Sequence, residues 1–216
     1  NTKSLLINLG LTEATIKNVD RLVSKTLVSF SKWESLSALT GILLSRGEYL
    51  KTHSILSSYI ATVVAKDFDW ATEGILRKIV IAGLFQNIYL EKDEHAMIYD
   101  RESEEFMALE VFEKDLILSH PRKGAELLDH DEFTGFEVVT MIKNHHELPH
   151  GGGFPRNIAA TNLSPLECCL IISSYFSHKI LTSKEADTSK VVQQLNEVFY
   201  EGNFKKSFET FLKLFR

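Results

Sequence analysis

Residues 120–156 read HPRKGAELLDHDEFTGFEVVTMIKNHHELPHGGGFPR, and three pieces of this stretch decide the fold. The first piece, HPRKGAELL, begins at His120. The second is the adjacent pair His145 and His146, and the third is a glycine loop, residues 151–156, of sequence GGGFPR. Three glycines and a proline within six residues are incompatible with a regular helix. The sequence therefore predicts a helix that ends at the paired histidines and an irregular loop after it.

Outward from this stretch, apolar residues recur at the spacing of helical turns. This periodicity predicts helices over residues 53–65, 72–88, 104–119 and 133–144, with two further helices in the C-terminal tail. The apolar stripes of the third and fourth of these helices consist of Phe106, Leu109, Phe112 and Leu116, and of Phe136, Val139 and Ile142. Patterns that alternate as in β-strands are scarce. We therefore predict an all-α fold.

The first fifty residues have helical patterns of their own, over residues 12–28 and 31–46, and carry none of the three pieces described above. We expect two parts in the chain. The first is an N-terminal helical segment, residues 1–49, and the second is the main helical domain, residues 50–216.

The C-terminal half also shows where one helix starts and how the tail packs. Ser164 suits a helix N-cap, Pro165 suits the first turn, and Glu167 completes a capping box. In the tail, four phenylalanines at helical spacing predict a buried stripe rather than a cofactor site: Phe204, Phe208, Phe211 and Phe215.

Composition and charge exclude some classes of function. The chain has 216 residues, of which 44% are hydrophobic and 25% charged, with a formal net charge of -5. A mildly acidic chain has no general attraction to nucleic acid or anionic lipid. No apolar run is long enough to span a membrane. Together with two adjacent cysteines, Cys168 and Cys169, which we expect to be reduced, these features favour a cytoplasmic protein.

The histidines of the opening stretch are candidate metal ligands. His120 begins the first piece, and His145 and His146 lie where a helix is predicted to end. Neutral imidazole binds transition metals well, and helices fix its position. The sequence therefore predicts that these three side chains form one metal-binding cluster.

In order and spacing, the three pieces resemble the HPxxGAxLL segment, the HHE pair and the GxGYP loop of the HD-GYP family. The resemblance covers about residues 50–216 and implies an HD-domain-like helical bundle. His53 opens a helix where the family also has a histidine, and it is either a retained ligand of an accessory metal or an ordinary polar residue. The adjacent pair His130 and Asp131 follows the first piece, whereas the family's His-Asp pair precedes it, so we expect a junction between helices there.

Active members of this family hydrolyse cyclic di-GMP with two or three metal ions, and the resemblance implies that most of the required groups are missing here. Phe85 and Gln86 stand at the family's His-Asp pair, and Tyr89 stands at its lysine. Ser174 stands at the aspartate that serves as the last ligand. Two divalent ions a few ångströms apart need a bridging anion, which neither Gln86 nor Ser174 can supply. We expect no binuclear centre and, at most, one divalent ion on three histidines.

The glycine loop also departs from the family pattern. It consists of Gly151, Gly152, Gly153, Phe154, Pro155 and Arg156, with phenylalanine in place of the family's tyrosine. The ring at Phe154 can stack but cannot donate a hydrogen bond to a phosphate. Arg156 is either a phosphate contact or an exposed loop cation. We expect this loop to bind a ligand or a partner.

Three functions are open from the sequence. The losses favour an inactive domain of cyclic di-GMP signalling that regulates or binds another protein. The resemblance implies cyclic di-GMP as a ligand and a GGDEF-type domain as a partner. The second function is a metal-dependent phosphodiesterase with one ion on the three histidines and Glu147 or His150 as a base. The third is a structural scaffold similar to HDOD domains.

Overall fold

The computed structural model describes residues 2–33, 35–45, 47–130, 132–183 and 187–215. These residues fold into helices, and β-structure among them is limited to two isolated bridges beside the glycine loop. In chain order the α-helices are α1 (Thr2–Leu9), α2 (Glu13–Phe30), α3 (Leu36–Leu44), α4 (Tyr49–Lys66), α5 (Glu73–Phe85), α6 (Asp93–Ala96), α7 (Glu104–Met107), α8 (Val111–Leu127), α9 (Gly135–Asn144), α10 (Pro165–Thr182), α11 (Thr188–Phe199) and α12 (Phe204–Leu212). The predicted all-α fold is confirmed.

One of the predicted helices is wrong in its extent. The single helix expected over residues 104–119 is two helices, α7 and α8, because Glu110 adopts an extended backbone conformation (φ -66°, ψ 154°) as the N-cap of α8. The break rotates the second half away from the first. Phe106 is buried as predicted, but Phe112 is 71% exposed instead of lying on the same stripe.

Helix α4 is the centre of the bundle. It packs most extensively against α10 and α5, and most of its length is buried. The approach of α5 is close at Gly83, where an added Cβ would lie 3.0 Å from the Cα of Ser58 in α4. A side chain at Gly83 would therefore push the two helices apart.

The N-terminal helices share the core of the rest of the chain. Leu6, Val19 and Val23, from α1 and α2, are fully buried in the same hydrophobic cluster as the residues of α4, α5 and α10. Helix α2 packs on α5, and α3 packs on α4. The division of the chain at residue 49 stays a prediction.

The structure confirms the predicted helix start and the packed tail. Glu167 N donates to Ser164 Oγ, and Ser164 N donates to Glu167 Oε2 at 2.8 Å, which is the capping box of α10. Of the tail phenylalanines, Phe204, Phe208 and Phe211 are fully buried. The fourth, Phe215, is partly buried against the same core. Within the described part of the chain, no helix combines the length and the apolar character needed to cross a membrane.

Candidate functional site

The three predicted histidines meet at one place between α8 and α9. His120 lies in the middle of α8, His145 caps the end of α9, and His146 follows it. One ring nitrogen from each lies within 4.8 Å of the other two. All three side chains are buried, with 5% exposure at most. The fold thus brings together the three histidines that the sequence suggested as one metal-binding cluster.

Backbone carbonyls fix the tautomers of two of these rings. Nδ1 of His120 lies 2.6 Å from Ile117 O, and Nδ1 of His145 lies 2.7 Å from Ile142 O. A carbonyl oxygen only accepts hydrogen bonds, so both Nδ1 atoms carry the proton. The Nε2 atoms of the neutral rings are therefore free of hydrogen, and they face each other at 3.3 Å.

Two lone pairs that face each other at 3.3 Å repel unless a cation lies between them. Burial lowers the pKa of His120 to about 3, and burial followed by the charge of His120 lowers the pKa of His145 well below its usual value. Protonation therefore does not supply that cation near neutral pH. Tetrahedral zinc with Zn–N bonds of about 2.0–2.1 Å would separate two ligand nitrogens by about 3.3–3.4 Å. Metal-binding histidines usually donate the N–H of the other ring nitrogen to a carboxylate or a backbone carbonyl, as His120 and His145 do here to Ile117 O and Ile142 O.

The third ring is open to a ligand as well. Neither nitrogen of His146 has a hydrogen-bond partner among the described residues, although both atoms are buried. Burial, followed by the charges of His145 and His120, lowers its pKa well below the usual value. A buried polar group without a partner is costly. The residues present therefore fit one metal ion held by three neutral imidazoles.

Glu147, next to this cluster, is committed to the glycine loop. Its side chain is fully buried, Oε1 accepts from Arg156 N at 2.7 Å, and Oε2 accepts from Ile158 N at 3.0 Å. Burial raises the pKa of this carboxyl group, against the lowering effect of the two backbone donors. Both oxygens are engaged with the backbone. Glu147 thus anchors the loop.

The glycine loop folds back onto the histidines. The ring of Phe154 is 1% exposed and stacks on His146, with ring centroids 4.3 Å apart and an angle of 17° between the planes. An added Cβ at Gly153 would lie 2.4 Å from both Glu147 Cα and His146 O, so only glycine fits there. Arg156, in contrast, is exposed. The loop thus buries its aromatic ring and leaves its cation in solvent.

The positions at which the resemblance implies lost ligands lie in the interior. Phe85, the last residue of α5, packs in the main core, and Tyr89 packs partly against it. Gln86 is fully buried, and neither atom of its amide has a hydrogen-bond partner among the described residues. Ser174 lies in α10 and is fully buried. No carboxylate occupies any of these four positions.

Tyr99 is a site residue that the sequence reasoning missed. Its hydroxyl lies 2.8 Å from Nε2 of His53 and 2.8 Å from Oγ of Ser174. Nε2 of His53 also lies 3.1 Å from Ser174 O. The ring of Tyr99 contacts His146 edge to face, at 4.5 Å between centroids. A phenol from the loop between α6 and α7 therefore joins two positions that the resemblance associates with metal ligands.

Two more residues extend this arrangement. The ring of His178 stacks on Tyr99, and its Nδ1 lies 2.9 Å from the hydroxyl of Tyr49. Burial lowers the pKa of His53 to about 4 and that of His178 to about 3, so both rings are neutral. We refer to Tyr49, His53, Tyr99, Ser174 and His178 as the tyrosine-histidine cluster. It is uncharged near neutral pH.

A weak signal for this cluster was present in the sequence. Tyr49 and His53 are four residues apart in α4, and Ser174 and His178 are four apart in α10, so each pair lies on one helix face. Tyr99 comes from a loop, where no periodicity marks a residue. His130 lies in the turn after α8, and Asp131 is outside the described residues, so the role of that pair stays a prediction.

The adjacent cysteines add no chemistry to the site. Cys168 and Cys169 are free thiols buried in the main core. Burial raises the pKa of Cys169 to about 12, so the thiol stays protonated at neutral pH. Since the thiolate is the reactive form, neither residue is placed to act as a nucleophile.

Comparison with solved structures finds a similar chain. This chain is similar to Bd1817, a HDG"Y"P protein from Bdellovibrio bacteriovorus, with a TM-score of 0.67 and 14% sequence identity. The likeness covers 98% of this chain, including the N-terminal helices, and 68% of that chain. The sequence matches no family model and no curated protein. At this identity the likeness concerns the fold, and it confirms the HD-GYP-like helical architecture expected from the motifs.

Proposed function

We propose that this chain is a degenerate HD-GYP-like domain that does not hydrolyse cyclic di-GMP and acts in signalling as a regulatory or protein-binding module. The proposal combines the HD-GYP-like fold with the loss of the acidic groups that paired metal ions require. A GGDEF-type domain is the partner suggested by the family resemblance, and the cytoplasm is the compartment suggested by the free cysteines.

The observation that carries the proposal is the position of Tyr99. Its hydroxyl bonds to both His53 and Ser174, at the two positions where the resemblance implies ligands of the family's other metal ions. A neutral phenol cannot screen the repulsion between two cations. The tyrosine-histidine cluster therefore fills, with hydrogen bonds among neutral groups, a region where a binuclear centre would need charged ligands.

The three-histidine cluster supports binding of one ion. His120, His145 and His146 would hold it, and such an ion would supply Lewis acidity and an activated water when bound. This chain's own groups contribute little further acid-base chemistry, because Glu147 is engaged with backbone N–H groups and His150 is a largely exposed side chain 3.2 Å from Glu201. The ion would thus serve chiefly to fix the junction of α8, α9 and the glycine loop.

A second candidate function is a phosphodiesterase with a single metal ion. The specific observation in its favour is the pair of bare Nε2 atoms at 3.3 Å. Together with His146 they would supply three ligands to a tetrahedral ion, which leaves the fourth position open for a water or a phosphate oxygen. This candidate requires a base other than Glu147.

Elemental analysis, calorimetry with cyclic di-GMP and a turnover assay on the same purified protein test these proposals. We expect about one zinc per chain, abolished in the double variant His145→Ala/His146→Ala, and no turnover with added Mn²⁺ or Zn²⁺. Turnover that disappears in the double variant would establish the second candidate and end the first. Absence of both metal and nucleotide affinity would point to a scaffold similar to HDOD domains.

Tyr99→Phe tests the observation that carries the proposal. This variant removes the hydroxyl but keeps the ring against His146 and His178, so the fold should survive with a loss of about 1–3 kcal/mol from the unpaired polar atoms. We expect it to remain inactive, because no carboxylate is restored. Activity that appears in this variant would show instead that the phenol blocks a competent site.

A further inference from the structure

The start of α8 and the end of α7 present an apolar patch to solvent. Met107 is 63% exposed, Val111 is 82% exposed and Phe112 is 71% exposed. These residues follow one another closely along the chain, and Lys114 Nζ donates to Met107 O at 2.8 Å, which holds the two short segments together. We refer to Met107, Val111 and Phe112 as the docking patch. Three large side chains exposed to this degree at one place are unusual unless something covers them.

Acidic residues surround the docking patch. Residues 100–115 contain seven acidic residues and two basic ones. Within the described part of the chain, no basic side chain pairs with four of the exposed acids: Glu102, Glu104, Glu105 and Glu110. Both basic residues have contacts of their own, since Arg101 donates to Asn157 Oδ1 at 2.7 Å and Lys114 lies over the ring of Phe106. The rim of the patch therefore carries uncompensated negative charge.

The chemistry of the covering partner follows from these two features. A partner that covers the patch must present apolar side chains to its centre and cationic side chains to its acidic rim. The patch lies at the end of α7 and in the first turn of α8, where the described residues form no sheet edge, so we expect recognition through side chains and not by strand addition. An anionic membrane surface is disfavoured by like charge. We propose that the docking patch binds a cationic amphipathic helix of a partner protein.

The patch is connected to the candidate site through a small second core. Phe106 and Ile117, beside the patch, form a hydrophobic cluster with Ile98 and Phe154 that is separate from the main core. Phe154 belongs to the glycine loop and stacks on His146. A helix docked on Val111 and Phe112 would thus lie on the outer face of α8, and Ile117 of the same helix belongs to the cluster that supports the glycine loop. The inference rests on the proposed function as a protein-binding module and specifies where and what it binds.

A designed peptide tests the inference directly. The probe is a fluorescently labelled 18-residue helix with leucine on one face and lysine on the other, and the control probes are a scrambled sequence and a leucine/glutamate version. We expect saturable binding of the leucine/lysine helix alone, measured by fluorescence anisotropy. Phe112→Ser should weaken it by about tenfold or more, as for a central interface residue.

Phe136→Ser is the matched control variant, because Phe136 is 77% exposed on α9 and lies outside the patch. It should leave the affinity unchanged. An equal loss in both variants, equal binding of the scrambled helix, or no binding at all would overturn the inference. So would a dimer of this chain, seen in sedimentation, that Phe112→Ser dissociates, because a second copy would then cover the patch.

The two proposals fail separately. Turnover of cyclic di-GMP by the purified protein would end the proposal of an inactive domain but would not alter peptide binding. Loss of peptide binding with unchanged metal content and no turnover would end only the docking inference.

Discussion

Single residues decide how the site is held, and Glu147 is the clearest example. From the sequence, Glu147 was a candidate base because it follows two histidines that were candidate metal ligands. Its carboxylate instead accepts hydrogen bonds from Arg156 N and Ile158 N, so it acts as a fixed double acceptor for the loop. Sequence spacing places a carboxylate near a cluster, but only the path of the loop shows what the two oxygens bind.

Replacing Glu147 by glutamine tests its role as the double hydrogen-bond acceptor of the loop. Glutamine keeps one acceptor oxygen but turns an NH₂ group toward the second backbone N–H, so we expect the free energy of unfolding to fall by about 1–3 kcal/mol. Glu105→Gln is the control, because Glu105 is exposed and should tolerate the change. Urea denaturation measures both variants. An unchanged stability for Glu147→Gln would contradict the anchoring role.

The three glycines of the loop are not equivalent, although the sequence presents them alike. An added Cβ at Gly153 would meet the backbone at 2.4 Å, whereas at Gly152 it would meet nothing within 4 Å. We expect Gly153→Ala to destabilise the protein by about 1–3 kcal/mol or more and to weaken zinc binding, because His146 O must move. Gly152→Ala should stay within about 0.5 kcal/mol of the parent. Equal behaviour of the two variants in denaturation and zinc titration would refute this geometry.

At the scale of helices, apolar periodicity predicted which segments are helical better than it predicted whether a helix continues without a break. Apolar spacing predicted α4 and α9, and the hydrogen-bonding chemistry of Ser164 and Glu167 predicted the start of α10. Both signals act within a few residues of the chain. The break at Glu110 did not follow, because the chain there bends so that Phe106 can join Ile98, Ile117 and Phe154 in the second core. The second core joins parts of the chain that are far apart in sequence, so a local pattern cannot predict it.

The packing of α5 on α4 provides a matched pair of glycines within one helix. At Gly83 an added Cβ would lie 3.0 Å from Ser58 Cα, whereas at Gly74 the nearest atom is Thr72 Oγ1 at 3.8 Å. We expect Gly83→Ala to destabilise the fold by about 1–3 kcal/mol, because two backbones must separate. Gly74→Ala should stabilise it by up to about 1 kcal/mol, since alanine favours helix and restricts the unfolded chain. Thermal and urea denaturation of both variants measure these opposite signs, and a neutral Gly83→Ala would show that α4 and α5 are less tightly packed.

For the whole molecule, the sequence predicted the architecture and the three-histidine set, but not the tyrosine-histidine cluster beside it. His120, His145 and His146 could be predicted because they occur in ordered motifs. Tyr99 could not, because its partners His53 and Ser174 are reached only after the bundle has closed. The result is a core that encloses five neutral imidazoles from four parts of the chain.

These five buried histidines make the stability of the metal-free protein depend on pH. Burial lowers the pKa of His53 to about 4 and those of His120 and His178 to about 3, and it lowers those of His145 and His146 in the same direction. In the unfolded chain the same groups titrate near pH 6.5. As the pH falls below about 6.5, the unfolded chain therefore binds protons that the folded protein excludes, and unfolding becomes easier.

The expected effect is large because each buried histidine contributes up to about 1.4 kcal/mol per pH unit until its folded pKa is reached. His53 alone should cost about 2 kcal/mol between pH 7 and pH 5, and the other four histidines act in the same direction. Urea denaturation of the chelator-treated protein at pH 7.5, 6.0 and 5.0 measures this loss. His53→Asn should reduce the slope of the free energy of unfolding against pH by the amount that corresponds to one proton. Phe136→Ser, on the exposed face of α9, should leave this slope unchanged. A flat stability between pH 7.5 and 5.0 would mean that these rings are charged or solvated in the folded protein, and the neutral cluster inferred around Tyr99 would then be wrong.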